Sequence, residues 1–232
     1  MPYLYVLGYL ILSYLAGSIP FGLLIVKLKT GQDIRKIESG RTGGTNVMRA
    51  TSFWYGILTG ALDITKAGLA ALIARWIFPG QPWVHVLAPV MAVIGHNYSI
   101  FMIERLENGR ICLRGGAGGA PTIGGSVGLW FPSLFISLPF ILIIWLGIGY
   151  ASLATLSTGV ISVIIFGVRA YMKLSPWQYV FFGIFSEILL IWALRPNIKR
   201  LFNGTERVVG WRARKKKNES QNSNDKPETN LT

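Results

Sequence analysis

The sequence predicts an all-α polytopic membrane protein. Three observations carry that reading. Of the 232 residues, 51% are hydrophobic and only 14% are charged, too few for the charged surface of a soluble domain this size. Long segments lack charge altogether, and a net charge of +13 is gathered into a few places. Ten Lys and Arg stand against four Asp and Glu from Arg195 onward, and six further basic residues fall between Lys27 and Arg49. A nucleic-acid-binding face would interleave basic and aromatic residues, which this chain does not do outside short loops. The charge reads instead as an orientation signal and as contact with an anionic leaflet. With a single cysteine, a disulfide framework and a thiolate metal cluster are both excluded.

The first span, Tyr3 to Val26, lacks the basic start of a signal peptide and is too long for its apolar core, so it stays in the membrane. Gly17, Ser18, Ile19, Pro20, Phe21 and Gly22 near its end allow a kink or close helix packing. A second span covers about Phe53 to Phe78 and holds Asp63 and Lys66. A third runs from about Trp83 to Ile103 and contains His96.

After Leu106 comes a glycine-rich stretch, followed by an almost wholly apolar region. Hydropathy alone leaves the crossings at six or seven. The basic loops 27–50 and 104–117 and the basic C-terminal tail should all face the cytoplasm, which requires an even number of crossings after 117. A short helix at about 120–129, then spans at about 132–149, 152–170 and 176–194, satisfies that parity. The expectation is seven crossings, one of them short, with the N-terminus outside and the C-terminus cytoplasmic. The short one must be shielded, because about 10 helical residues cannot span about 30 Å. Loop 171–175, with Arg169 and Lys173 beside it, then lies outside against the charge rule. Residues 1–208 form one transmembrane domain, and 209–232 a basic, then polar, disordered tail.

Two loops carry more than connectivity. In Asp33 to Arg49, glycines let backbone N–H groups converge, Ser39, Thr45 and Asn46 offer neutral hydrogen bonds, and Arg35, Arg41 and Arg49 can neutralise phosphate oxygens. No Lys follows the last glycine, so this is not a nucleotide P-loop. The second loop, Arg110 to Gly125, runs through Gly115, Gly116, Ala117, Gly118 and Gly119 into a helix, a plausible anion nest with Arg114 at its mouth. Two such loops on one face point to a phosphorylated substrate, although either loop alone could be purely structural.

Asp63 and Lys66, at i and i+3, form a self-satisfied pair, or Lys66 reaches a phosphate while Asp63 holds it. His96, with Glu104 a turn or so beyond, is a base, a donor or a packed ring. His85, beside Trp83, reads as structural. No spacing suggests a metal, and Cys112 has neither partner nor activating base.

Taken in order, these motifs resemble the bacterial membrane acyl-phosphate:glycerol-3-phosphate acyltransferases over Gly17 to Glu206. The matching elements are Gly17-Ser18-Ile19-Pro20, then Ser39-Gly40-Arg41-Thr42-Gly43-Gly44-Thr45-Asn46-Val47-Met48-Arg49, and Asp63-Ile64-Thr65-Lys66. Gly95-His96, Arg114-Gly115-Gly116-Ala117-Gly118-Gly119-Ala120-Pro121, Asn197-Ile198-Lys199-Arg200-Leu201 and Gly204-Thr205-Glu206 complete the set. The departures are Arg41 for Asn, Ala117 for a second Lys, Pro121 for Thr, Leu194 for His, and about six inserted residues around Arg105 to Arg110. The missing Lys removes one charge contact, and the expectation is that Arg41 or Arg110 restores it from another direction.

The resemblance implies a multi-pass protein of the bacterial plasma membrane with its active site at the cytoplasmic face. It implies acyl phosphate and glycerol 3-phosphate as substrates, lysophosphatidic acid and phosphate as products, and membrane lipid as the surroundings. No cofactor, metal, nucleic acid or obligate protein partner is implied. Ser39, Gly40, Arg41, Gly43, Thr45, Asn46 and Arg49 would hold one phosphate. Asp63, Lys66, Arg114, Gly115, Gly116, Gly118 and Glu206 complete the phosphate-binding set, and His96 or Asn197 would orient the attacking hydroxyl, Lys66 being the third catalytic residue. Another phosphorylated acceptor, a transporter or flippase of an anionic phosphate compound, and an inactive member are the competing readings.

Overall fold

The computed structural model describes residues 2–213; the polar stretch from Lys215 onward lies outside the described residues. In chain order the helices and strands are α1 (Pro2–Ser18), α2 (Phe21–Thr30), α3 (Gly44–Ala50), α4 (Phe53–Ile77), α5 (Pro82–Asn97), β1 (Ile103–Arg105), β2 (Ile111–Leu113), α6 (Gly119–Leu129), α7 (Ser133–Ile143), α8 (Ala151–Tyr171) and α9 (Tyr179–Phe202). The protein is an all-α polytopic membrane protein apart from the small β1–β2 hairpin. Among the described residues, five stretches are long and apolar enough to cross a membrane: Tyr3–Thr30, Phe53–Ile77, Pro82–Met102, Ala151–Tyr171 and Tyr179–Phe202. A shorter apolar stretch, Ser133–Ile148, consists of α7 and a π-helical turn over Ile144–Ile148.

Each element follows from its sequence. The first apolar stretch breaks where Ile19 and Pro20 separate α1 from α2, because proline supplies no N–H to continue the ladder. Gly31, at φ 70°, closes α2 in the left-handed conformation. The third helix ends at Asn97, short of the expected Ile103, and the chain turns through a 3-10 segment at Ile100–Met102. Glu104 is therefore not a helical turn beyond His96; it sits on β1 opposite Cys112. The six-residue insertion forms the tip of the hairpin, turning at Asn108-Gly109, with Gly109 at φ 77°.

Small residues set the helix packing. A Cβ on Gly17 would strike the backbone of Ala92, and one on Gly95 the carbonyl of Tyr14, so α1 and α5 meet backbone to backbone. Gly124 and Gly128 bring α6 equally close to Ile64 and Gly68 on α4. These contacts hold an 11-residue helix, about 16 Å long, against the longer α4. Nearly all of its residues are buried in protein. The main apolar core, around Phe166, Phe182, Tyr179, Val86 and Leu129, joins α5, α6, α8 and α9. His85 is structural here, bonded through its ring nitrogens to Tyr179 Oη at 3.0 Å and the Phe78 carbonyl at 2.8 Å.

Candidate active site

The loop before α3 is shaped mostly by its own hydrogen bonds. Asp33 caps the 3-10 turn at Ile34–Lys36 by accepting from Arg35 N, and it pairs with the Arg35 guanidinium at 2.6 Å. Arg35 is thereby engaged and does not line the cavity below. Asn46 is buried, and its Nδ2 donates to the carbonyls of Ile37 (3.1 Å) and Arg41 (2.9 Å). Its amide thus folds the loop. Gly40, at φ 67°, turns the chain where a Cβ would press on the Arg35 carbonyl.

The two glycine loops are one structure. Thr42 N donates to the Gly115 carbonyl at 3.3 Å, and Gly116 N donates to the His96 carbonyl at 2.8 Å. A Cβ on Gly116 would overlap His96 Nε2, so the glycine loop lies directly against the imidazole. Arg114 is oriented by Glu104, its Nε donating at 2.6 Å. Gly118, at φ 95°, forms the N-cap of α6 without a side-chain cap bond. Pro121 falls in the first turn of α6, where the N–H it lacks has no helical partner.

Between these loops and the end of α9 lies a cavity of about 960 Å³. Ser39, Gly40, Arg41, Gly43, Thr45, Asn46 and Arg49 line it from the first loop and α3. Arg114, Gly115, Gly116 and Gly118 line it from the second loop, and Asp63 and His96 from α4 and α5. Asn197 and Glu206 close the remaining side. Among the sequence-predicted site residues, Lys66 is missing from the wall, as are the candidate cations Arg35 and Arg110.

Lys66 stands behind it. Its Nζ lies 2.8 Å from Asp63 Oδ1, 3.0 Å from His96 Nδ1 and 3.1 Å from the Ile19 carbonyl. Three partners match the three protons of an ammonium. With Nδ1 accepting from Lys66, the ring proton belongs on Nε2, which faces the glycine loop; this tautomer is assigned from the network.

Burial, helped by the nearby Arg200, lowers the pKa of Arg41, and burial lowers that of Arg49, opposed by Glu38. Both guanidiniums remain charged in a poorly hydrated wall, where an anion is the natural counterpart. Arg41 Nη2 donates to the Ala193 carbonyl at 2.5 Å. The Arg41 and Leu194 departures therefore meet in space. Arg110 sits exposed on the hairpin, off the cavity wall.

Glu206 has an almost fully buried side chain and accepts from Asn197 Nδ2 at 2.8 Å and Arg200 Nε at 3.0 Å. Both of its oxygens are engaged, and a carboxylate repels phosphate, so its geometry is that of an organiser. Arg207 pairs with Glu38, joining the segment after α9 to the first loop.

Sequence reasoning missed Asn97, Ser152, Arg195, Arg200 and Arg207, all on the cavity wall. Asn97 and Ser152 were detectable only as polar residues at the ends of apolar spans. The wall also has an apolar sector: Phe53, Ile57 and Gly60 on α4 and Leu138, Ile141, Leu142 and Trp145 around the end of α7. No three His, Cys, Asp or Glu side chains converge as a metal site among the described residues.

The fold and site define a class: an integral membrane protein whose broken helices enclose a chamber with a polycationic wall on one side and an apolar wall on the other. The sequence model of the family described as glycerol-3-phosphate acyltransferase matches residues 7–204, and the chain belongs to that family. A glycerol-3-phosphate acyltransferase of Thermus thermophilus is 36% identical over 205 residues, covering 88% of this chain and 95% of that protein. One from Aquifex aeolicus is 36% identical over 200 residues, covering 84% and 95%. The crystal structure of PlsY (YgiH), an integral membrane glycerol 3-phosphate acyltransferase, in its glycerol 3-phosphate form is similar with a TM-score of 0.76. It is 34% identical, covering 89% of this chain and 96% of that one. The lysophosphatidic acid form of the same protein gives a TM-score of 0.75 at 33% identity.

Proposed function

We propose that the protein transfers the acyl group of an acyl phosphate to the 1-hydroxyl of glycerol 3-phosphate. The observation that carries this reading is the cavity in which Arg41, Arg49, Arg114 and Arg200 face an apolar sector between α4 and α7. Such a wall suits two phosphates and one acyl chain. Family membership supports it, as do the names of the relatives and the two ligand forms of PlsY.

The hydroxyl oxygen attacks the acyl carbon, a C–O ester bond forms, and the C–O bond to phosphate breaks. The departing phosphate keeps the electron pair and takes up the hydroxyl proton, which balances the reaction without an enzyme base. The main task of the protein is to bring two anions together. At an effective dielectric of about 20, each pair of unit charges about 4 Å apart costs about 4 kcal/mol, and the arginines offset that repulsion. One phosphate lies in the loop from Ser39 to Arg49, and the other lies against Arg114 and the glycine loop. Arg41 takes the place of the cation missing at Ala117. Asn197 Oδ1, left free by the Glu206 bond, accepts from a glycerol hydroxyl. His96, fixed by Lys66 and Asp63, presents Nε2–H beneath Gly116.

The chain reads as one domain over 1–208 with seven crossings in the plasma membrane: α1 with α2, then α4 to α9, α6 being the short one. The N-terminus lies outside, and the cavity and C-terminus lie on the cytoplasmic side. The acyl chain enters sideways between α4 and α7.

The test is purified protein in lipid with palmitoyl phosphate and glycerol 3-phosphate, following lysophosphatidic acid by mass spectrometry. Wild type forms product, and Arg49→Ala loses about 10- to 100-fold in kcat/KM, as for a charge-assisted hydrogen bond of about 1.5–3 kcal/mol. An inactive wild type beside an active relative would sink the reading.

A further inference from the structure

Asn97 is the last residue of α5, and its side chain is buried, with the residue only 4% exposed. A primary amide offers two donor protons and two acceptor lone pairs. Neither Oδ1 nor Nδ2 of Asn97 has a hydrogen-bond partner among the described residues. Each unmatched end carries the full cost of its desolvation, so a buried amide in this state is unusual enough to require a cause. His96, the residue before it, has both a partnered ring and a bonded carbonyl. Asn46 Oδ1, Asp63 Oδ2 and Ser152 Oγ on the same wall also lack partners, but among the described residues Asn97 is the side chain with both ends of an amide unmatched.

Its position supplies the cause. Asn97 lines the same cavity as the glycine loop. A Cβ on Gly118 would lie 2.8 Å from Asn97 Oδ1 and 3.0 Å from Nδ2, so the amide stands against the N-cap of α6. The first-turn N–H groups of Gly118, Gly119 and Ala120 have no intrahelical acceptor, and the helix dipole is positive at this end. Two independent features therefore converge: the start of an 11-residue helix with free donors, and a buried amide with nothing to bond.

We infer that Asn97 is a further catalytic residue, one that bridges the two reactants. The inference rests on the acyltransferase reading above. Nδ2–H and the Gly118 and Gly119 N–H groups donate to the carbonyl oxygen of the acyl phosphate, while Oδ1 accepts from the attacking hydroxyl of glycerol 3-phosphate. A ligand supplying one acceptor and one donor is what the two unpartnered ends of the amide call for, and the two substrates together supply both. As the hydroxyl oxygen bonds to the acyl carbon, negative charge grows on the carbonyl oxygen. It is stabilised there by the amide and the helix N-terminus until the bond to phosphate breaks. Phosphate leaves with the electron pair and the hydroxyl proton. Because the Asn97 side chain makes no bond within the described protein, replacing it removes a substrate contact without breaking an internal one.

The experiment compares wild type, Asn97→Ala and the isosteric Asn97→Asp in lipid, with palmitoyl phosphate and glycerol 3-phosphate. It records kcat, KM for each substrate, the ratio of ester formation to hydrolysis, and the unfolding temperature. The expected result for Asn97→Ala is a kcat lower by about 100-fold, or about 2.7 kcal/mol, with KM for glycerol 3-phosphate within about threefold and unfolding unchanged. Residual turnover shifts toward hydrolysis, because the hydroxyl is no longer aligned. Asn97→Asp, which keeps the shape and loses the donor, falls at least as far. Wild-type kcat in either variant overturns the inference, and so does a loss of rate matched by a lowered unfolding temperature in both. Failure of the underlying reading is distinguishable, because wild type itself would then make no ester.

Discussion

Lys66 is held by three acceptors in the membrane interior, and its value lies in what its removal would expose. Lys66→Met leaves the Asp63 carboxylate buried without its nearest cation, a change worth about 3–5 kcal/mol. Thermal unfolding in detergent should drop accordingly, and the double variant Asp63→Leu, Lys66→Met should recover most of that loss. An unfolding temperature unmoved by the single substitution would mean the pair does not anchor α4. The i, i+3 spacing made this pair legible in the sequence. What the spacing could not convey was that Lys66 turns away from the cavity toward Ile19 and His96. Glu206 is similar: the motif placed it at the site, but only its two donors reveal a carboxylate that organises Asn197 and Arg200. Asn97 was invisible for a different reason, since a missing hydrogen-bond partner is a property of the packed chain and of no single residue.

At the scale of elements, α6 and the wall between α4 and α7 matter most. A Cβ on Gly60 would meet nothing within 4 Å, although the residue lines the cavity beside Ile57, and the π-helical turn carries Trp145 into the same wall. Gly60→Leu therefore fills space where the acyl chain is proposed to run. The expected outcome is a preference shifted toward shorter acyl phosphates by at least about 10-fold in kcat/KM ratio, about 1.4 kcal/mol, with KM for glycerol 3-phosphate unchanged. Equal discrimination in variant and wild type would place the chain elsewhere. The helices were largely readable from apolar runs and basic loops, including the short helix, which begins at Gly119 within a residue of expectation. The hairpin was not, because its strands have three residues each and its Asn108-Gly109 turn lies inside a stretch dominated by glycine and arginine. The early end of α5 was hidden as well: hydropathy continues smoothly through Ile100 and Ile103, while the backbone leaves the helix at Tyr98.

For the whole molecule, orientation in the membrane has a built-in reporter. Cys112 is the single cysteine of the chain, partly exposed on β2 next in sequence to Leu113 of the cavity wall. A membrane-impermeant maleimide should label it in inverted vesicles and leave it untouched in intact spheroplasts. The reverse pattern would overturn the proposed parity of seven crossings with the N-terminus outside. The competing idea of a carrier fits less well with backbone-to-backbone contacts between α1 and α5 and between α4 and α6. A rocking motion of one half against the other would have to break these close seams.

The apolar sector between α4 and α7 has a consequence for the bilayer itself. On the proposed reading, a chamber that draws a single-tailed donor from the side and returns a single-tailed ester by the same side adds no molecule to the opposite leaflet. Both amphiphiles have large heads relative to their tails. Under that proposal each turnover exchanges one wedge-shaped molecule for another of bulkier head, and the lateral pressure rises in the monolayer the chamber opens to. The next step to use the ester, whether a second tail is added or the molecule is carried across, would then also relieve curvature stress.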